Sequence, residues 1–169
     1  MSTFNKVLTI TLLAVLLGAA GLLAYIIASP KVAEEFTEFY ILDYLGKTQL
    51  YPDEFTIESG KVVEVKYDSE VHKAAYGRVI LGITNHENEQ VDYIIKVVSD
   101  NTALPLYFEG EQLELIGPVT LAPGEKWEQE IGFSPEKIGD RQKVMFVLYK
   151  DETPYFQEPP HLWIDVKER

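Results

Sequence analysis

Val91-Asp92-Tyr93-Ile94-Ile95-Lys96-Val97-Val98 decides the fold. Val91, Tyr93, Ile95 and Val97 fall on one face of an extended chain, and Asp92, Ile94, Lys96 and Val98 on the other. That period of two is the mark of a half-buried strand. The same rhythm recurs on both sides. Val63, Val65 and Tyr67 carry it upstream, as do Val79, Leu81 and Ile83. Downstream it runs through Trp127, Gln129, Ile131 and Phe133, then Val144, Phe146 and Leu148, then Leu162, Ile164 and Val166. Phe36 to Leu42 reads as the first strand of the series.

Turn chemistry separates these runs. It sits at Leu45-Gly46-Lys47, Glu58-Ser59-Gly60, Glu87 to Gln90, Glu109-Gly110-Glu111, Pro123-Gly124 and Ile138-Gly139-Asp140. Beyond Pro30 no stretch shows a helical stripe, a repeat or a low-complexity tract. The sequence predicts a mainly β fold: an immunoglobulin-like antiparallel β-sandwich over residues 36–169, preceded by a single N-terminal transmembrane helix. No Cys…Trp…Cys signature accompanies it, so the resemblance to immunoglobulins is one of architecture. Trp163 faces away from Leu162 and Ile164 and is expected to pack on the opposite sheet surface rather than to form a contact patch.

The segment before the strands has a different character. Val7 to Ala28 contains no charged residue, and as a helix it would reach about 33 Å, the thickness of a bilayer core. Ser29-Pro30 ends it, and Tyr25 stands where an interfacial aromatic belongs. The apolar run is longer than the ~7–15 residues of a signal-peptide core, which favours an uncleaved anchor. Residues 1–6 then form a cytoplasmic tail with Lys6, residues 7–28 the span, 29–35 a short tether and 36–169 an extracytoplasmic domain. Ala14, Gly18, Gly21 and Ala28 share one face of the helix, and Ala20, Ala24 and Ala28 form a second row. Small residues let helix backbones approach closely in lipid, so this face is the candidate for packing on another helix.

The chain has 169 residues and a formal net charge of −12. All 27 acidic residues lie beyond Pro30, together with every basic residue except Lys6. Such a domain repels nucleic acid and anionic lipid headgroups. Hydrophobic residues make up 46% of the chain, with ten Tyr, eight Phe and two Trp, enough for a β core that needs no crosslink. Cysteine is absent, which removes disulfides, thiolate metal sites, Cys nucleophiles and a cupredoxin-type copper site.

Candidate chemistry concentrates at Thr84-Asn85-His86-Glu87-Asn88-Glu89, where a strand gives way to a tight connection. Asn85, His86 and Glu87 form a possible contact loop, and a divalent cation near His86 is the sharper reading. The competing reading is a polar turn whose side chains bond local backbone, and it is favoured because His72 and His161 lie far away in sequence. Ser59, Ser69, Ser99 and Ser134 sit in no nucleophile-elbow context, and no glycine loop for phosphate is present. No catalytic residue, metal ligand or cofactor is assigned.

Several segments together resemble the exported domain of the DUF1616 family, membrane proteins found largely in archaea. They are Phe36-Thr37-Glu38-Phe39-Tyr40-Ile41-Leu42, Leu50-Tyr51-Pro52, Gly82-Ile83-Thr84-Asn85-His86-Glu87 and Val91-Asp92-Tyr93, followed by Leu121-Ala122-Pro123-Gly124-Glu125-Lys126-Trp127, Leu148-Tyr149-Lys150-Asp151 and Leu162-Trp163. The Asn-His-Glu and Leu-Tyr-Lys-Asp pieces are the most distinctive. The resemblance covers residues 36–166 and implies an extracytoplasmic sandwich tied to a membrane, with no established reaction. It also shows a departure, since family members often carry several membrane helices before this domain.

These readings converge on a non-enzymatic, membrane-anchored accessory or structural subunit of a membrane or cell-envelope complex, single-pass with its N-terminus inside, its partners other membrane or envelope subunits or a second copy. The alternative is a stand-alone surface binding module for a glycan, peptide or divalent cation, with the loops around His86 and Lys150 as its contact surface.

Overall fold

In a computed structural model, residues 3–28 and 35–169 are described, and within the helix the side-chain surroundings of Thr9 and of residues 11–25. The chain divides into two compact units, Met1–Glu34 and Glu35–Arg169. The first contains helix α1, Thr3–Ala28, 26 residues long. Among the described residues no helix is long and apolar enough to cross a membrane. The described side chains form a shorter stretch than the ~20 residues a span needs, and the expected span over residues 7–28 extends past them at both ends. Residues 29–34 of the expected tether, the first residues of the expected tail and the side chain of Ala28 lie outside the described residues.

The second unit is built of strands. In chain order these are β1 (Thr37–Asp43), β2 (Pro52–Glu58), β3 (Lys61–Tyr67), β4 (Glu70–Lys73), β5 (Gly77–Asn85), β6 (Val91–Ser99), β7 (Thr102–Ala103) and β8 (Leu106–Phe108). After them come β9 (Glu111–Leu113), β10 (Ile116–Leu121), β11 (Lys126–Phe133), β12 (Gly139–Lys150), β13 (Thr153–Pro154) and β14 (His161–Glu168). A five-stranded sheet runs β1-β5-β11-β8-β9, and a nine-stranded sheet runs β10-β6-β12-β14-β2-β3-β4, with β13 beside β12 and β7 beside β6. The mainly β class stands. The pairings are antiparallel except that β14 and β2 run parallel, which corrects the expectation of wholly antiparallel sheets. A parallel pair needs a long crossover, and here almost the whole domain lies between the two strands.

The alternation in Val91–Ser99 is realised residue by residue: Val91, Tyr93, Ile95, Val97 and Ser99 are buried, and the residues between them are not. One core receives side chains from both sheets. Phe55 of β2 and Phe146 of β12 come from the larger sheet and Phe133 of β11 from the smaller. Phe133 sits 5.5 Å from Phe55 and meets Phe146 edge-on at 5.6 Å, the geometry that ring quadrupoles favour. Each such side chain contributes roughly 1.5–3 kcal/mol by leaving water.

The link from β1 into the second sheet is organised by Asp43, which is fully buried. Its carboxylate accepts backbone N–H bonds from Leu45, Lys47, Gln49 and Leu50 at 2.8–3.3 Å. Burial alone would raise its pKa, but these four donors outweigh it and hold the group below its ordinary value.

Two local expectations are corrected. Gly139 and Asp140 begin β12 rather than form a separate turn, and the irregularity there is a register shift before Gln142, with Arg141 at a positive φ. Strand pairing with Val166 of β14 captures Gly139, so the glycine marks a bulge. Trp163 packs on no opposite surface. It is 53% exposed, with the Arg141 guanidinium 5.9 Å from its ring and His161 edge-on beside it. The cation and the imidazole are the ring's neighbours there.

Gly77 is where the core is tightest. A Cβ built there would stand 2.6 Å from the Phe55 ring, which is fully buried and has nowhere to move. Gly77→Ala is expected to cost about 1–3 kcal/mol in chemical unfolding, and Phe55→Leu in the same chain to recover part of that loss by making room.

Candidate functional site

The residues singled out at the end of β5 meet four other segments. Thr37 opens β1 with its side chain buried. Its hydroxyl donates to Glu87 Oε1 at 2.8 Å and lies 2.7 Å from the Tyr93 hydroxyl. Thr37 has one hydroxyl proton and gives it to the carboxylate, so the Tyr93 O–H donates to Thr37. Burial raises the Tyr93 pKa, which keeps that proton in place. The Thr37 backbone N–H donates to the Tyr155 hydroxyl at 2.8 Å.

Glu87 is only 6% exposed. Its second oxygen pairs with Lys150, at the end of β12, whose side chain is itself only partly exposed. Burial pushes the Glu87 carboxyl up, but the bonds from Lys150 and Thr37 outweigh it and hold the pKa below the ordinary 4.5. The bond to Glu87 lifts the Lys150 ammonium above its ordinary 10.5.

Asn85 ties the β5–β6 connection to the turn before β11. Its amide donates to the carbonyls of Glu89 and Leu121, and its side-chain oxygen accepts the Glu87 N–H. Its own N–H reaches the Glu125 carbonyl and its carbonyl accepts the Gly124 N–H. Every polar group of this buried residue is therefore satisfied. His86 behaves differently. It stays at the surface, its ring stacked on Phe36 at 4.5 Å and its Nε2 3.4 Å from a Glu38 carboxylate oxygen.

Thus of Asn85, His86 and Glu87 only His86 is offered to solvent, and Lys150 joins the same cluster from the other sheet. Among the described residues no group of three or more His, Cys, Asp or Glu is placed to hold a metal. The buried donors and acceptors here are used on one another, so the arrangement locks segments together. Thr37, Tyr93 and Tyr155 had no motif of their own.

A family described as a domain of unknown function, DUF1616, has a model that matches residues 30–165. The chain belongs to the DUF1616 family. Several of the pieces that carried the resemblance meet in this knot: Thr37, Asn-His-Glu, Tyr93, the Leu121–Glu125 turn and Lys150. A crystal structure of a FixG-related protein from Vibrio parahaemolyticus is similar to this DUF1616 chain over 78% of it and 96% of that chain, at 14% identity and a TM-score of 0.43. Comparison with curated proteins gives no match.

A second feature of the DUF1616 domain lies between β8, β9, β10 and β11. It is an open groove of about 730 Å³, with Phe108, Leu113, Leu115, Val119 and Trp127 on its walls and Glu109 and Glu114 as its ionisable residues.

Lys150→Met strands the Glu87 carboxylate in the interior and is expected to cost about 3 kcal/mol in chemical unfolding. Adding Glu87→Gln should recover part of that loss, whereas two independent sites would simply add. Glu87 and Asp43 bind protons less readily folded than unfolded. Their contribution is whole above their ordinary values and fades as pH falls through the lower folded ones. Lys150 is the reverse, contributing fully below its ordinary value and losing that contribution as pH rises through the raised one. Melting temperature followed into acid should therefore drop steeply, and Glu87→Gln should flatten the drop.

Proposed function

We propose that this protein is a non-enzymatic, membrane-anchored accessory subunit, whose extracytoplasmic domain is an immunoglobulin-like β-sandwich that docks on a partner's outer face. The observation that carries the reading is the surface of α1. Leu12, Leu13, Val15, Leu16, Leu17, Leu22 and Leu23 are each more than half exposed, so the described part of the helix offers a broad apolar surface. Water is a poor solvent for that surface; lipid and the helices of another subunit are good ones. The two sheets closed on one core support the sandwich reading, and a knot whose polar groups satisfy one another suits a rigid docking body.

On this reading the helix meets its partner through Ala14, Gly18 and Gly21. Among the described residues neither glycine has anything within 4 Å of a built Cβ, so a side chain added there starts into open space. Purification in a gentle detergent with mass spectrometry of what stays bound is expected to recover membrane proteins in fixed stoichiometry. Gly18→Leu should reduce that recovery about tenfold, as loss of ~1–2 kcal/mol of helix packing would. Equal recovery with both proteins would remove the helix contact, and a chain that purifies alone would remove the subunit reading.

A further inference from the structure

The smaller sheet has a gap. β11 pairs with β5 along its whole length, from Lys126↔Thr84 to Phe133↔Gly77. On its other side, among the described residues, only Gly132 and Phe133 have strand partners, Tyr107 and Leu106 of the three-residue β8. Residues 126–131 therefore present one backbone edge with no described strand beside it. Gln129 shows that the layer is open there too. It shares the core-facing side of β11 with Trp127 and Ile131, yet it is exposed. Trp127, two residues before it on the same side of β11, lines the groove between the sheets.

Edges are normally blocked against strand addition by proline, bulges or charge. β10, across the groove, is blocked in this way: Pro118 interrupts it and its register shifts between Ile116 and Val119. The edge at 126–131 has no proline and an unbroken register against β5. Its outward charges are already matched, Glu128 with Lys126 and Glu130 with Arg78. Glu109 and Glu114 have no ion pair among the described residues, and they are the groove's only ionisable residues.

We infer that the groove receives an extended segment of a partner protein, which adds as a strand along residues 126–131 of β11. This rests on the docking-subunit reading and names the chemistry of the docked segment. Alternate apolar side chains enter between Phe108, Leu115 and Trp127, and a Lys or Arg meets Glu109 or Glu114. Backbone pairing supplies affinity, and the pockets and carboxylates supply selection. A volume of about 730 Å³ falls in the range of ligand sites.

The test uses the full chain in detergent with Trp163→Phe, which leaves Trp127 as the single tryptophan. The probes are an acetylated eight-residue peptide alternating Val and Lys, the same peptide with Pro at two central positions, and a Val/Glu peptide. The Val/Lys peptide is expected to shift Trp127 emission saturably, the proline version to bind at least about tenfold more weakly, and the Val/Glu peptide to give no shift. Glu109→Gln with Glu114→Gln should weaken the Val/Lys peptide about tenfold, as loss of two surface ion pairs would. Equal binding of the proline peptide, indifference to the double substitution, or a shift with a chito-oligosaccharide but none with peptide would overturn the inference. A copurified partner that leaves Trp127 open to acrylamide quenching would also overturn it while leaving the subunit reading intact. Peptide binding by a chain that purifies alone would do the opposite.

Discussion

Glu87 is the constraint on which this end of the domain depends. A carboxylate taken out of water is tolerable only when its lone pairs are occupied and its charge is met. Thr37 of the smaller sheet and Lys150 of the larger one supply those needs together. The two sheets are thus joined at the ends of β1 and β12 by a charge that neither could bury alone. Tyr93 extends the chain of bonds inward, and Asn85 extends it sideways into the turn before β11. Apolar contact between sheets is indifferent to small sliding, whereas these bonds hold only at one registration of the sheets.

The strands were legible because each buried side alternates with an exposed one, as in Val91–Ser99. The sheet order was not. Alternation records which side of a strand is buried and carries no trace of its neighbour, so the parallel contact of β14 with β2 had no local signal. Trp163 misled for a related reason. Its position predicted the outward side correctly, but whether a second layer covers that side is a property of the whole fold.

The site was legible in part. Asn85, His86 and Glu87 stood out as polar residues where a strand ends, and burial then divided them, sending Glu87 inward and leaving His86 on Phe36. The partners of Glu87 come from positions 37, 93 and 150, separations that spacing within one segment cannot reveal. Family resemblance had already gathered those stretches without saying why. The groove was invisible for the opposite reason, since it consists of a place where strand partners stop. Asp43 lay within reach of sequence reasoning, because a carboxylate just ahead of Leu-Gly-Lys is suited to collecting turn N–H groups.

Thr37 also has a mechanical meaning. It is the first strand residue of the domain, so a pull applied along the chain from its N-terminal side arrives there before it reaches the rest of the ladder between β1 and β5. A ladder loaded at its end unzips one rung at a time. Here the end rung is fastened by three bonds, to Glu87, Tyr93 and Tyr155, reaching both sheets. Tension must break that fastening as a unit before β1 can peel, so the domain is reinforced at the point where a tether would load it.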